Sequence, residues 1–436
     1  MNIAINTFQV ESAGGLLNFN VELKKGFNRL GHKVDIYMLR EKGKTKFDAD
    51  WNANCLYYGD ERYRDYVNRM KGYDLVIFCL PCPHQTKHTK DNYSWTKCYE
   101  GFDAKKFVVI HDAYWQKYYK WMSMVKDRID NYIAIHHVAW ESIKSFPDDN
   151  KKKVMIFMAI DTSPIPNNFK FSEDKKEDKV ISTNWFKPWK HLNELIEVIP
   201  KINYPVEVCG DGIEYFYLKN PEKKPKYYID VDKKTTYWDR ALKNGMTWRH
   251  WIPYSEVQKM FKKGKVLVDL SRSKFWDWGN TTRVVMECMI YSVIPVLRVE
   301  GLGVYKPENV IPVPLGGDLS GEINKIMKNY DLRKEICERN YHFVRDNFDC
   351  TKVAKLYIDL YLDMYDQFDP LPLNNSLKEQ KEYYMKIYYP NGYPKDIEKE
   401  DKDEISDEVK SKKLNNKLNN KDNSKIKPKL IIKKGV

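Results

Sequence analysis

Between Val266 and Leu297 the chain runs through a buried strand, a polar loop, a helix and a second buried strand, and this unit limits what it can become. VLVDLSRS (266–273) is an apolar run ending in small polar residues. GNTTRVVMECMIYSVIPVL (279–297) then opens on Gly279, Asn280, Thr281 and Thr282, any of which can cap a helix. Val284, Val285, Cys288, Met289 and Tyr291 make one apolar helical face with Glu287 as the lone acid, and VIPVL reads as a second strand. Such a βαβ unit has its natural ligand site at the carboxyl end of the first strand. There a helix N-terminus offers free N–H groups and positive dipole to an anion. Glu287, about two turns in, suits a neutral diol such as a ribose rather than a phosphate. A plain capped helix carrying a surface glutamate fits the same letters.

The same unit opens the chain. NIAINTF is a strand, QVESAGG a loop, LLNFNVELKKGFNRLG an amphipathic helix and HKVDIYML a strand. Gly14 and Gly15 allow close approach to the backbone at the helix start, although the spacing is not G-x-G-x-x-G and predicts no nicotinamide or flavin site. DLVIFCLP, KFVVIHDAY, NYIAIHHV and KVMIFMAI extend an α/β domain as strands, and IDTSPIPNNF with SEDKKEDK breaks the regularity at 161–178. A second domain restarts with KVISTNWF. It continues through HLNELIEVIPKI (helix), PVEVCGDG (strand and glycine turn), a polar insertion over Lys219–Tyr237, a strand in MTWRHWIP and a helix capped by Ser255. Late helices follow over 318–348, and Lys352–Tyr365 is an amphipathic helix long enough to cross back to the first domain. From about residue 393 the chain is Lys/Glu/Asn low complexity, which predicts disorder.

Composition narrows the class. No run approaches the ~18–20 apolar residues of a membrane span, and MNIAINTF reads as a strand rather than a signal, so a soluble, cytoplasmic protein is expected. The eight cysteines lie mostly in apolar segments and read as reduced core residues. Cys79, Cys82, His84 and His88 have the wrong spacing for a zinc finger, and no metal is expected. Net charge is +13, with nine lysines against one aspartate over 411–436, a surplus that suits a polyanion. Lys/Asn-rich coding bias gives the same surplus without function.

Two constellations remain. His111-Asp112 ends the buried strand FVVI, where polar side chains face a ligand crevice and can hold a hydroxyl or move a proton. The aromatic and lysine mixture after it, with Tyr114, Trp115 and Lys117, could hold an acceptor by stacking and phosphate contact. Lys187 and Lys190, on the loop after the first strand of the second domain, suit a diphosphate as two mobile point charges. Each feature falls on the same end of a predicted strand.

In that order and spacing the chain resembles the GT-B glycosyltransferases, and within them the DNA α-glucosyltransferases of T-even phages. The matching residues are Gly14-Gly15 followed by Phe19 and Glu22, the pair in FVVIHD, the basic loop KPWK, and LSRS followed by Glu287 and Pro295-Val296. The wider retaining group usually carries a glutamate eight residues before the Glu287 equivalent, where this chain has Gly279. The resemblance implies an α/β fold of two facing Rossmann-like domains: 1–165 for the acceptor, 166–350 for the nucleotide sugar, a crossover helix and extension over 351–392, and a disordered basic tail over 393–436. It implies a monomeric, metal-independent enzyme that moves a sugar, glucose by analogy, from a UDP-sugar to a hydroxymethylated base such as 5-hydroxymethylcytosine in duplex DNA, with retention. His111, Asp112 and Glu22 would be catalytic, and Tyr114, Trp115 and Lys117 would touch the acceptor. Gly14, Gly15, Lys187, Lys190, Gly210, Asn280, Thr281, Thr282, Arg283 and Glu287 would hold the donor. A surface glycan, lipid or protein acceptor is the alternative, and a non-catalytic nucleic-acid-binding protein of the same fold is the third reading.

Overall fold

The computed structural model describes residues 1–8, 15–40, 54–57, 63–80, 94–111, 122–144, 146–149, 152–166, 168–183, 190–210, 242–249, 252–271, 282–366 and 377–393. Two all-parallel sheets organise them. The first contains β1 (Asn2–Phe8), β2 (Lys33–Arg40), β3 (Asn54–Tyr57), β4 (Leu75–Leu80), β5 (Lys105–Ile110), β6 (Asn131–Ala134) and β7 (Lys153–Met155), in the order β3-β2-β1-β4-β5-β6-β7. The second contains β8 (Val180–Thr183), β9 (Val206–Cys209), β10 (Met246–Arg249), β11 (Val266–Asp269), β12 (Ile294–Arg298) and β13 (Ile311–Val313), in the order β10-β9-β8-β11-β12-β13. Both are doubly wound, so strand order reverses between β1 and β4 and again between β8 and β11. Ligand crevices form at such reversals, at the carboxyl ends of the strands. The two Rossmann-like units expected from the sequence are present.

The apolar runs become strands because both sheet faces are covered. Ile3, Ile5, Leu75, Ile77, Phe107 and Val109 are fully buried on one face, and Ala4, Val76, Phe78 and Val108 on the other. Helix α1 (Gly15–Arg29) buries Phe19, Leu23 and Phe27, spaced at i, i+4, i+8. Helices α2 (Tyr63–Met70), α3 (His137–Lys144), α4 (Leu192–Val198), α5 (Tyr254–Lys263), α6 (Arg283–Ile290), α7 (Leu319–Lys328) and α8 (Tyr330–Phe348) pack around the sheets. Among the described residues no helix is long and apolar enough to cross a membrane.

The chain passes between the units twice, side by side. After β7 it runs through buried Ile156–Ile160, and the Ile160 N–H donates to the Phe348 carbonyl at 2.8 Å. Returning, the Cys350 N–H donates to the Ile160 carbonyl at 2.8 Å. Helix α9 (Cys350–Tyr361) then lies against α1, with the Phe27 and Tyr357 rings 6.0 Å apart, edge to face. This is the crossover helix expected. Gly26 sits where the two backbones meet: a Cβ there would lie 2.0 Å from the Cys350 carbonyl oxygen.

Several local expectations are corrected. The strand expected over 153–160 ends at Met155, because from Ile156 the backbone leaves the sheet to become the crossing. The cap of α5 is Pro253 rather than Ser255. At α6, Thr282 occupies the N-cap position without capping, since its hydroxyl donates to Asp269 at 2.7 Å. Glu287 is buried, which removes the surface-glutamate alternative. Strands β3 and β13, helix α2 and a final helix α10 (Leu377–Tyr388) were not expected. Cys79 is a buried free thiol, while Cys82, His84 and His88 lie outside the described residues, as does the expected disorder after 393.

Candidate functional site

Where the carboxyl ends of the two sheets face each other, the residues of α1 and α6 meet. Phe19 and Glu22, three apart, lie on one face of α1. Arg283 and Glu287, four apart, lie on one face of α6. The Arg283 Nε donates to Glu287 Oε1 at 2.5 Å, and Nη1 donates to the Ala159 carbonyl at 3.2 Å. Nη2 lies 3.5 Å from Glu22 Oε1. One buried guanidinium therefore joins a carboxylate from each unit and the segment that connects them. All three residues are at most 8 % exposed. Two carboxylates around one buried cation would be costly without that sharing.

Each carboxylate has further support. The Asp161 N–H donates to Glu22 Oε2, and Lys25 Nζ is 3.7 Å from Oε1. Burial raises the Glu22 pKa, and the charges of Arg283 and Lys25 offset this only in part. Burial alone would raise Asp161 as well, but hydrogen bonds from Arg29, Ser163 and Lys25 hold it well below the usual carboxylate range. Tyr254, at the start of α5, hydrogen-bonds to Glu287, and burial with that carboxylate pushes its phenol upward.

His111 follows β5 directly and meets Phe19 edge to face, with ring centroids 4.9 Å apart. Its Nε2 is buried and has no hydrogen-bond partner among the described residues. Burial, with the Arg283 charge adding, pushes its pKa down to about 3, so the ring is neutral at physiological pH. A neutral imidazole can accept from or donate to a hydroxyl without carrying charge into the cleft. The His136 ring fixes the backbone beside it. Its Nδ1 accepts from the Ala139 N–H at 3.0 Å, which leaves Nε2 to donate to the His111 carbonyl at 3.3 Å.

A second cluster forms at the switch point of the other sheet. Asp269 ends β11, accepting from the Ser271 backbone at 3.0 Å and from the Thr282 hydroxyl at 2.7 Å. Lys190, just before α4, lies within electrostatic reach of Asp269; burial lowers its pKa and Asp269 opposes that. Tyr305 donates to the Thr282 carbonyl at 2.8 Å, so the start of α6 is held from both sides. Gly210 is placed by the β9–β10 edge, its N–H donating to the Arg249 carbonyl and its carbonyl accepting from the Trp248 indole.

Of the residues expected from sequence, Glu22, His111, Arg283 and Glu287 come together, with Lys190 and Thr282 in the adjoining cluster. Gly15 opens α1. Gly14, Asp112, Tyr114, Trp115, Lys117, Lys187, Asn280 and Thr281 lie outside the described residues. Tyr254, Asp161 and Asp269 were missed. Only Asp269 carried a readable signal, as an acid at the carboxyl end of a buried strand. Among the described residues no three His, Cys, Asp or Glu side chains are placed to hold a metal.

No protein-family model and no curated protein sequence matches the chain. Solved structures do. An alpha-glucosyltransferase in complex with UDP-glucose and DNA containing an abasic site superposes with a TM-score of 0.64 at 13% identity, covering 83% of this chain and 99% of that one. The same description of protein, with UDP and a 13-mer DNA containing an HMU base, gives 0.63 at 14% over the same shares. Anabaena HepE in complex with UDP and glucose gives 0.61 at 12%, covering 83% of this chain and 99% of its own. The two-domain GT-B architecture is the fold these structures share with this chain.

Proposed function

We propose that the protein is a UDP-sugar-dependent hexosyltransferase whose acceptor is a hydroxymethylated base in duplex DNA. The observation that carries this reading is the buried Glu22–Arg283–Glu287 cluster, built across the facing carboxyl ends of two doubly wound sheets. Solved proteins of this fold are described with UDP or UDP-glucose, and some with DNA, which supports a nucleotide-sugar donor. Glu287 would bind the ribose diol, steadied by Arg283 and Tyr254. Lys190 with Lys187, and the start of α6 including Asn280 and Thr281, would neutralise the departing diphosphate. Arg283, turned inward on its two carboxylates, holds the cleft together rather than meeting phosphate.

On the acceptor side, His111 and Asp112 would orient sugar and hydroxyl, and Glu22 would line the wall that receives the base. The bond from C1 to the UDP oxygen breaks and a bond from C1 to the acceptor oxygen forms on the same face. The acceptor proton passes to the departing phosphate oxygen, and the configuration is retained. The base must leave the helix first, at a cost of a few kcal/mol that backbone contacts offset. Tyr114, Trp115 and Lys117 would supply stacking and charge, and the net charge of +13 favours a polyanion.

A second reading keeps the same donor cleft and changes the acceptor to a surface glycan, lipid or protein. Radiolabelled UDP-sugars incubated with hydroxymethylated DNA, unmodified DNA and a glycan extract separate the two. Label on hydroxymethylated DNA alone is expected. Label on glycan alone would replace the acceptor, and failure to bind any UDP-sugar would remove both readings.

A further inference from the structure

Next to the cleft, on the far side of Asp161, the double crossing encloses a half-open cavity of about 580 Å³, lined by Arg29, Thr162, Ser163, Arg345, Asp349 and Lys352 among others. Three cations from three helices converge on it. Arg29 comes from the last turn of α1, Arg345 from α8 and Lys352 from the first turn of α9. The lining carboxylate, Asp349, is already engaged: one oxygen takes the Thr162 hydroxyl and the other the Thr351 N–H at 2.9 Å. Beyond the lining, Asp161 pairs with Arg29 at 2.7 Å and Asp346 with Lys352 at 3.2 Å. The Lys352–Asp346 pair joins exposed side chains that water screens, so a doubly charged anion can share that ammonium. Arg29 is held more firmly by the mostly buried Asp161 and can offer only its remaining N–H groups. Arg29 Nη1 meanwhile points at the Cys350 sulfur at 3.2 Å, a weak acceptor that a phosphate oxygen would improve on. Arg345 lies near the Tyr341 ring and its Nη1 donates to the Tyr341 hydroxyl at 2.6 Å.

We infer that this crossing cavity binds a phosphate group, separately from the donor cleft. Two guanidinium groups and an ammonium around one half-open cavity are a donor set that a tetrahedral oxyanion can share, while the hydroxyls of Thr162 and Ser163 already donate to Asp349 and Asp161. The phosphate could be free in solution or belong to the backbone of duplex DNA. An anion there would touch α1, the outgoing crossing and α8–α9 at once, tying both units to their connection.

The test uses the full chain. Thermal unfolding is followed in inorganic phosphate and in chloride at matched ionic strength, with UDP at saturation to fill the proposed donor cleft. A phosphate-specific rise in Tm that persists with UDP is expected. Lys352→Gln and Arg345→Gln, each checked for a native circular dichroism spectrum, should weaken phosphate roughly tenfold or more, the loss expected for a charged hydrogen bond. A short duplex without modified bases, added at the same phosphate concentration, distinguishes the sources: competition with free phosphate that both variants abolish assigns the site to backbone phosphate. Duplex binding that leaves free phosphate in place assigns it to the free ion. A phosphate response no larger than chloride, one that UDP abolishes, or equal responses in both variants and the native protein would overturn the inference.

Discussion

At the scale of single residues, the cleft combines one cation that cannot leave with titratable groups moved from their ordinary range. Glu287→Gln keeps a hydrogen-bond acceptor for Arg283 but removes a charge. It should cost about 1–3 kcal/mol of stability, as expected for a weakened charged hydrogen bond, while Glu22 still compensates the guanidinium. UDP-sugar affinity should fall by roughly tenfold or more. Isothermal titration with UDP-glucose beside urea unfolding checks both, and unchanged affinity would remove Glu287 from the donor site. His111 and His137 are held neutral by burial, with pKa values pushed to about 3 and about 4 from an ordinary 6.5. Unfolded, they take up protons below pH 6.5; folded, they do not until far lower. Their stabilising contribution is therefore complete above pH 6.5 and is lost as the pH falls toward 4 and 3. Each can add a slope of up to about 1.4 kcal/mol per pH unit in that window. Urea midpoints at pH 7 and pH 5, compared with those of His111→Gln, should show a smaller acid loss in the variant.

Elements show what could be read from the chain and what could not. The polar carboxyl ends of the strands were legible because each buried parallel strand is a continuous apolar run that ends in a polar residue, as β5 does in His111 and β11 in Asp269, whereas the strand order that makes switch points was not. Strand β3 was not legible, because NCLY is four residues at a sheet edge with no alternation to mark it. Strand β13 hides because IPV is three residues long at a sheet edge and its proline reads as a break rather than as a strand. The site residues divide the same way. Glu287 stood out as one acid in an apolar helix, whereas Asp161 and Tyr254 matter only through Glu22 and Glu287, far off in sequence. No local pattern encodes such a meeting. The helix crossing is equally non-local: Gly26 looks like a flaw in α1 until the Cys350 carbonyl is placed against it. Gly26→Ala should separate α1 from α9 and cost about 3 kcal/mol or more, at or above the usual range for overpacking. Chemical denaturation measures it, and a loss below 1 kcal/mol, roughly the level of a surface change, would show that the crossing yields easily.

For the molecule as a whole, charge and connection dominate. If duplex DNA is the acceptor, its affinity must fall steeply with salt, and nine of the lysines lie in 411–436. Deleting 411–436 should flatten the dependence of log affinity on log salt while leaving UDP-sugar affinity unchanged. Fluorescence anisotropy between about 50 and 200 mM salt reads the slope. An unchanged slope would confine DNA recognition to the remaining chain.

The return of α9 onto α1 also has a bearing on synthesis. Leu23 and Phe27 acquire their covering Val353, Ala354 and Tyr357 only after about 190 further residues beyond Ile160 have left the ribosome, at a translation rate that makes the wait many seconds. Until then the nascent first sheet carries a greasy flank with nothing of its own to hide it. The growing polypeptide is thus most exposed to chaperones, and to self-association, midway through its own manufacture.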